Sequence, residues 1–173
     1  MGFIVREYRP SDAAATMRTF RRAILVSASR DYDALQTRVW ADRTGSPAEW
    51  DTRRMVAHTW VAVPVEDDGG DGAPAAGGAF HAATGELVGF IDVDDDGYID
   101  MLFVDPSYGR RGVASLLFAQ VERFAADHGT VGLRVHASAT AKPFFARHGF
   151  RVVEARRPMI GDVAFVNYLM VRP

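Results

Sequence analysis

Between Asp105 and Ser115 the chain reads DPSYGRRGVAS, with two glycines and two arginines at the threshold of an amphipathic helix. Those residue types at that spacing suit a phosphate group. The first turn of a helix carries N–H groups without acceptors and a partial positive charge. Gly109 and Gly112 let the backbone approach a ligand closely, and Arg110 and Arg111 can add charge-assisted hydrogen bonds. The other reading of the same residues is a turn glycine followed by a solvated basic face. The spacing is not that of the GxxxxGK phosphate loop, since no Lys-Ser or Lys-Thr follows, nor that of the GxGxxG dinucleotide fingerprint.

Upstream, Asp92, Asp94 and Asp96 precede Gly97, as in the loop of a calcium-binding helix–loop–helix. Such a loop needs a bidentate Glu at its twelfth position and a helix on each side. Here that position is Phe103, and the flanks are β-branched and aromatic. The run is therefore expected to be a hairpin turn, with Asp92 and Asp94 solvated. On the second strand, period-two alternation puts Tyr98, Asp100 and Leu102 on one face. A carboxylate in so apolar a strand is costly to bury unless it is paired or used. Asp100 is thus either a working group, a hydrogen-bonded structural carboxylate, or a partly wet edge residue.

The elements that must position these residues follow from periodicity. FIVREY predicts a strand, and Ser11 or Asp12 can cap a helix through AAATMRTFRRAILVSAS. Shorter helices are expected in DYDALQTRVWA and SPAEWDTRRM, then a buried strand in HTWVAVPV. Residues 66–78 are too rich in Gly, Ala and acid to pack and read as a surface loop. ELVGFIDV and YIDMLFV form the hairpin, and Val113, Leu117, Val121 and Phe124 mark the apolar stripe of the helix that Gly129 ends. GLRVHAS, a helix in TAKPFFARHG, FRVVEA and AFVNYLMV complete the order. Alternation of this kind predicts an α/β (α+β) chain, a mixed sheet covered by helices.

With 173 residues, the chain is expected to be one domain, residues 1–173. A formal net charge of −2 gives no general attraction to nucleic acid or anionic membranes. No basic stripe suits nucleic acid, and no apolar run approaches a membrane span. The absence of cysteine excludes disulfides, thiol nucleophiles and cysteine-ligated metals. A cytoplasmic location, no metal, and a monomer or homodimer are the expectations.

VDPSYGRRGVASLL resembles the acetyl-coenzyme A motif of the GNAT superfamily of N-acetyltransferases, with Gly112 and Ala114 at its last fixed positions and Gly109 where Gln or Arg is usual. TAKPFFARHGF resembles that family's Ala-x-x-Phe-Tyr-x-x-x-Gly-Phe segment, with Ala141, Phe144, Gly149 and Phe150 in register. The whole chain is similar to the YafP-like branch of bacterial acetyltransferases. The resemblance implies a mostly antiparallel sheet of about seven strands with splayed central strands, flanked by about four helices. It also implies acetyl-CoA as cosubstrate. The pantetheine arm would lie beside Phe103 and Val104 and pack on Phe144 and Phe145. The pyrophosphate would sit on Gly109, Arg110, Arg111, Gly112, Val113, Ala114 and Ser115, with Ala141 nearby.

The chemistry so implied is direct acyl transfer to a primary amine of a small molecule or peptide, with the Val104 N–H meeting the oxyanion. Asp100 is then the candidate base or amine anchor. Many relatives carry a Tyr where Phe145 stands, and Phe cannot donate a proton. Ser138, His136 and Tyr108 are the remaining donors, with Ser138 favoured; its other reading is a local backbone hydrogen bond. Tyr32, Trp40, Asn167 and Tyr168 are acceptor-side candidates by position, Trp40 also being a core candidate. A non-catalytic sensor of acyl-CoA is the alternative, prompted by Phe145.

Overall fold

The computed structural model describes residues 2–65 and 86–173, so the stretch expected as a loop at 66–78 lies outside the described residues. Two four-stranded sheets make the frame. The first joins β1 (Gly2–Glu7), β2 (His58–Val65), β3 (Gly89–Val93) and, past a short β4 (Tyr98–Ile99), β5 (Leu102–Val104), in the order β1-β2-β3-β5, all antiparallel. The second has the order β4-β6-β10-β7, with β6 at Leu133–Ser138, β7 at Arg151–Arg156 and β10 at Asn167–Arg172. Only β4 and β6 run parallel within it. A small hairpin of β8 (Met159–Ile160) and β9 (Val163–Ala164) leads into β10.

Alternation along β2 and β3 feeds two cores. Val61 and Phe90 face Phe20, Ile24 and Trp50, from α1 (Ala13–Arg22), the turn after it and α3 (Pro47–Val56). Ala62 and Ile91 face the other way, onto Val113, Leu117 and Val121 of α4 (Val113–His128). The first sheet is thus sandwiched between helices. Side-chain oxygens close the helix starts in capping boxes: Ser46 with Glu49 on α3, and Asp33 with Gln36 on α2 (Ala34–Ala41). Gly129 takes a left-handed φ of 64° to end α4. Helix α1 continues as one π turn over Ala23–Ser27 and a 3-10 turn over Ala28–Arg30, where the sequence predicted unbroken helix. Phe118 of α4 meets Phe144, Phe145 and Phe150 edge-on, which seats α5 (Lys142–Arg147) over the second sheet.

The architecture is mixed, mostly antiparallel and splayed, as expected. Strands are more numerous than the sequence suggested because YIDMLFV and AFVNYLMV each break into two and β8 is added. Five α-helices are present among the described residues. None of the helices there is long and apolar enough to cross a membrane.

Candidate active site

The break in YIDMLFV makes the site. Asp100 and Met101 belong to neither strand, and across them the chain leaves the second sheet and enters the first. A buried carboxylate pins this crossing: the Met101 N–H donates to Asp92 Oδ1 at 2.9 Å, and the Asp92 N–H donates to Met101 O at 3.0 Å. Asp92 is only 1% exposed, which corrects the expectation that it is solvated. Its Oδ2 lies 2.6 Å from Nη1 of the equally buried Arg54, whose Nη2 reaches to 3.7 Å from Asp100 Oδ2. Burial pushes the Asp92 carboxyl up to about 7, against the pull of Arg54 and with the push of Asp100. Asp94 shapes the turn by accepting from the Asp96 and Tyr98 N–H groups at 3.0 and 2.7 Å.

Because β4 stops at Ile99, two strand edges are left facing each other. Strand β5 pairs only with β3 among the described residues. The bonds Asp105 N–H to Val88 O and Asp92 N–H to Met101 O fix which pairs are hydrogen-bonded. By alternation Phe103 turns its N–H and C=O toward Phe90, while Leu102 and Val104 turn theirs to the open edge. On that edge Val104 presents its N–H, whereas Phe103 presents no backbone group there and lines the cleft with its ring. On β6, β4 reaches no further than Val135, so among the described residues His136 to Ser138 has no strand beside it on that side.

A cleft of about 370 Å³ opens there. Asp100, Phe103, His136, Ser138, Ala141 and Phe145 all line it, as do Tyr32, Trp40 and Asn167. The Asp100 side chain is 54% exposed. Ser138 Oγ accepts from the Ala141 N–H at 3.0 Å, the local bond that was its other reading, which leaves its own proton to donate. Tyr32 is structural as well as lining: its hydroxyl donates to Val166 O at 2.6 Å and accepts from the Ala139 N–H at 3.0 Å. Trp40 stands edge-on to Tyr32 and Phe103, while Trp50 is fully buried and donates to Thr16 Oγ1. Tyr168 lies off the cleft, next to Asn167 on the strand but on the opposite face, with Lys142 Nζ 4.0 Å from its ring centroid. Phe145 is 1% exposed and Phe144 partly buried; their rings pack together and on Phe118.

Two groups in the cleft went unremarked or underweighted in the sequence. Tyr98 Oη lies 3.1 Å from His136 Nδ1, and both residues line the cavity. Burial pushes the Tyr98 phenol up to about 12, with Asp100 and Asp92 adding to it. Burial also holds the His136 imidazole below its usual value, aided by Arg156 and opposed by Glu154 and Asp100. The shared strand face of Tyr98 and Asp100 was the available signal. Arg54, one of two adjacent arginines, carried none.

At the start of α4, Asp105 Oδ1 accepts from the Ser107 N–H at 2.9 Å and sets up a tight turn over Pro106–Tyr108. Arg110 then takes a φ of 62° and Gly112 a φ of 83°. The first is strained for a residue with a Cβ, by about 1–2 kcal/mol. Gly112 caps the helix, and a Cβ there would meet nothing within 4 Å, so the space over the helix start is open. The amides of Val113, Ala114 and Ser115 are first-turn amides without intrahelical acceptors. The Arg111 guanidinium lies over the Tyr108 ring, 5.4 Å from its centroid, and Tyr108 Oη donates to Glu86. Along the chain, the cleft-lining Leu102 and Phe103 are followed by the Val104 edge and then by the open amides of α4.

Residues 74–170 match a family model described as an acetyltransferase (GNAT) domain. Over 166 residues the chain is 34% identical to YafP of Escherichia coli strain K12, described as an uncharacterized N-acetyltransferase, covering 96% of this chain and 93% of that protein. A crystal structure of a GCN5-related N-acetyltransferase from Rhodopseudomonas palustris, also described as an aminotransferase, class-II, superposes with a TM-score of 0.83 at 27% identity, covering 99% of this chain and 96% of that one. The PaiA N-acetyltransferase of Thermoplasma acidophilum, crystallised with coenzyme A, shares the fold at 14% identity and a TM-score of 0.73, with 99% of each chain covered. Splayed sheets, an open strand edge leading to a helix start, and agreement across nearly the full length establish that the chain belongs to the GNAT acetyltransferase family.

Proposed function

We propose that this chain moves the acetyl group of acetyl-CoA directly to a primary amine of a small molecule or peptide, with both substrates bound at once. One observation carries the reading: the crossing at Asp100 and Met101 leaves the Val104 N–H unclaimed among the described residues, next to Phe103, which lines a cleft that also holds Asp100 and His136. The residues present fit the cosubstrate. Amides of Val113 to Ser115 and the open space above Gly112 would take the pyrophosphate. Leu102 and Val104 would receive the pantetheine amides as an added strand would be received. The fold-sharing PaiA protein was crystallised with coenzyme A, which supports the same assignment here.

The proton balance falls to side chains of the cleft. Asp100 anchors the acceptor as its ammonium. His136, held below its usual pKa, is neutral at pH 7 and takes the proton that the nitrogen must lose. This role takes the tautomer in which Nδ1–H donates to Tyr98 Oη, the atom 3.1 Å away, so that Nε2 is the accepting atom. The amine nitrogen bonds to the carbonyl carbon, the Val104 N–H meets the oxygen charge, and the carbon–sulfur bond breaks. Ser138 gives its hydroxyl proton to the departing thiolate and takes the second proton that the nitrogen sheds on becoming an amide, in a fold where Phe145 has no proton to give.

Calorimetry with acetyl-CoA, followed by thiol release across a panel of amines, tests this. Binding with turnover is expected. Binding without turnover on any amine would favour the sensor reading that Phe145 prompts, and no heat at submillimolar ligand would remove both.

A further inference from the structure

The acceptor half of the cleft has a composition that narrows what it takes, granted the transferase reading above. Its inner wall is aromatic. Phe20 and Phe103 meet at 4.8 Å between centroids, Tyr32 and Trp40 at 5.5 Å, and Trp40 and Phe103 at 6.2 Å. Trp40 and Phe103 are only partly buried, so ring surface faces the cavity. Such surface favours a flat apolar body. At the rim the charges are unequal: Arg43 and Arg53 line the cleft with Asp100 as their only acidic counterpart among the described residues. Both arginines are exposed. Arg53 donates to Thr44 O, whereas the Arg43 guanidinium has no hydrogen bond or ion pair among the described residues.

We infer that the acceptor carries an amine, an aromatic or large apolar body, and a carboxylate. Asp100 takes the ammonium end, the rings take the body, and Arg43, aided by Arg53, takes the acid. A polycation such as a polyamine or aminoglycoside would meet two guanidinium groups for one exposed carboxylate and is disfavoured. A neutral aromatic amine would leave Arg43 without a partner.

The experiment compares phenethylamine, L-phenylalanine, 4-(2-aminoethyl)benzoate and spermidine as acceptors by thiol release. In parallel, their binding to the protein–coenzyme A complex is measured by calorimetry. At least one of the two acids should exceed phenethylamine about tenfold or more in kcat/KM and in affinity, the scale of a charge-assisted hydrogen bond. Spermidine should be the poorest. In Arg43→Gln the acid-to-neutral ratio should fall toward one, and Arg53→Gln should lower it in part. Phenethylamine or spermidine matching both acids in the wild-type protein, or a ratio that survives both substitutions, would overturn the inference. Turnover without the ratio removes the acceptor class alone. The ratio in binding without turnover removes the transferase reading and leaves the ligand class standing.

Discussion

Arg54→Met would keep much of the packing under Trp50, whose ring centroid lies 5.0 Å from the guanidinium carbon, while removing the cation that faces Asp92. Breaking a buried pair from one side costs about 3–5 kcal/mol, because the remaining charge is left in a poor solvent. For a chain of 173 residues that is a fall in Tm of roughly 6–20 °C. The pH dependence gives the sharper test. The folded Asp92 carboxyl is raised to about 7 from an ordinary value of 3.8. A raised group lends stability that is complete below the unfolded value and lost as pH climbs through the folded one. The wild-type protein should therefore lose stability from this group between about pH 4 and pH 7 and hold level above. Without Arg54 only backbone N–H groups, that of Met101 among them, offset burial, so the loss continues to higher pH. At pH 5.5 the carboxyl is mostly protonated in both proteins, and the cost of the substitution should be smaller than at pH 8.5 by about 1–2 kcal/mol. Urea unfolding followed by circular dichroism at the two pH values measures both quantities. A cost under about 1 kcal/mol at pH 8.5, or one that does not change with pH, would refute the claim that a buried ion pair holds the crossing.

His136→Gln should lower kcat by about 10²–10⁴ with the affinity for acetyl-CoA retained. The wild-type kcat/KM should rise with pH and level off, with a midpoint below the usual histidine value, and this limb should vanish in the variant. The groups acting on that midpoint are Tyr98, Asp100, Arg134, Glu154 and Arg156. Gly112→Val forces a β-branched residue to a φ of 83° at an open position. It should cost only about 1–2 kcal/mol of stability but weaken acetyl-CoA binding at least tenfold by calorimetry; unchanged affinity would place the phosphate site elsewhere. Gly97→Ala puts a Cβ 2.6 Å from Gly132 O at a φ of 80°, and thermal unfolding should report a loss of about 2 kcal/mol or more.

Local order made much of this molecule readable. The stripe of α4, the D-G turn and the glycine-rich helix start are written within a few residues of each other, and their periods differ enough to assign each element. The crossing at Asp100 and Met101 was hidden because an apolar run keeps its appearance when its hydrogen bonds pass from one sheet to another. Asp92 was misread for a related reason. Its alternation and its acidic neighbours point to water, and the residue that neutralises it, Arg54, comes from a helix that no local pattern connects to the hairpin. The same distance effect hid the Tyr98–His136 contact, which needs the parallel β4–β6 pairing to exist. Tyr168 shows the cost of arguing by neighbourhood: its strand borders the cleft, but alternation turns it away.

Since only two residues carry the backbone from one leaf to the other, neither leaf can melt by itself. Loss of the β4–β6 pairing would pull on Met101, and through its bond to Asp92 on the partner strand of β5. Amide exchange in β3, β5 and β6 should accordingly slow and speed together, as one cooperative unit. A fragment beginning at β3 would contain every group proposed here for the site except Phe20, Tyr32, Trp40, Arg43 and Arg53, but it would lack β1 and β2, on which that unit leans.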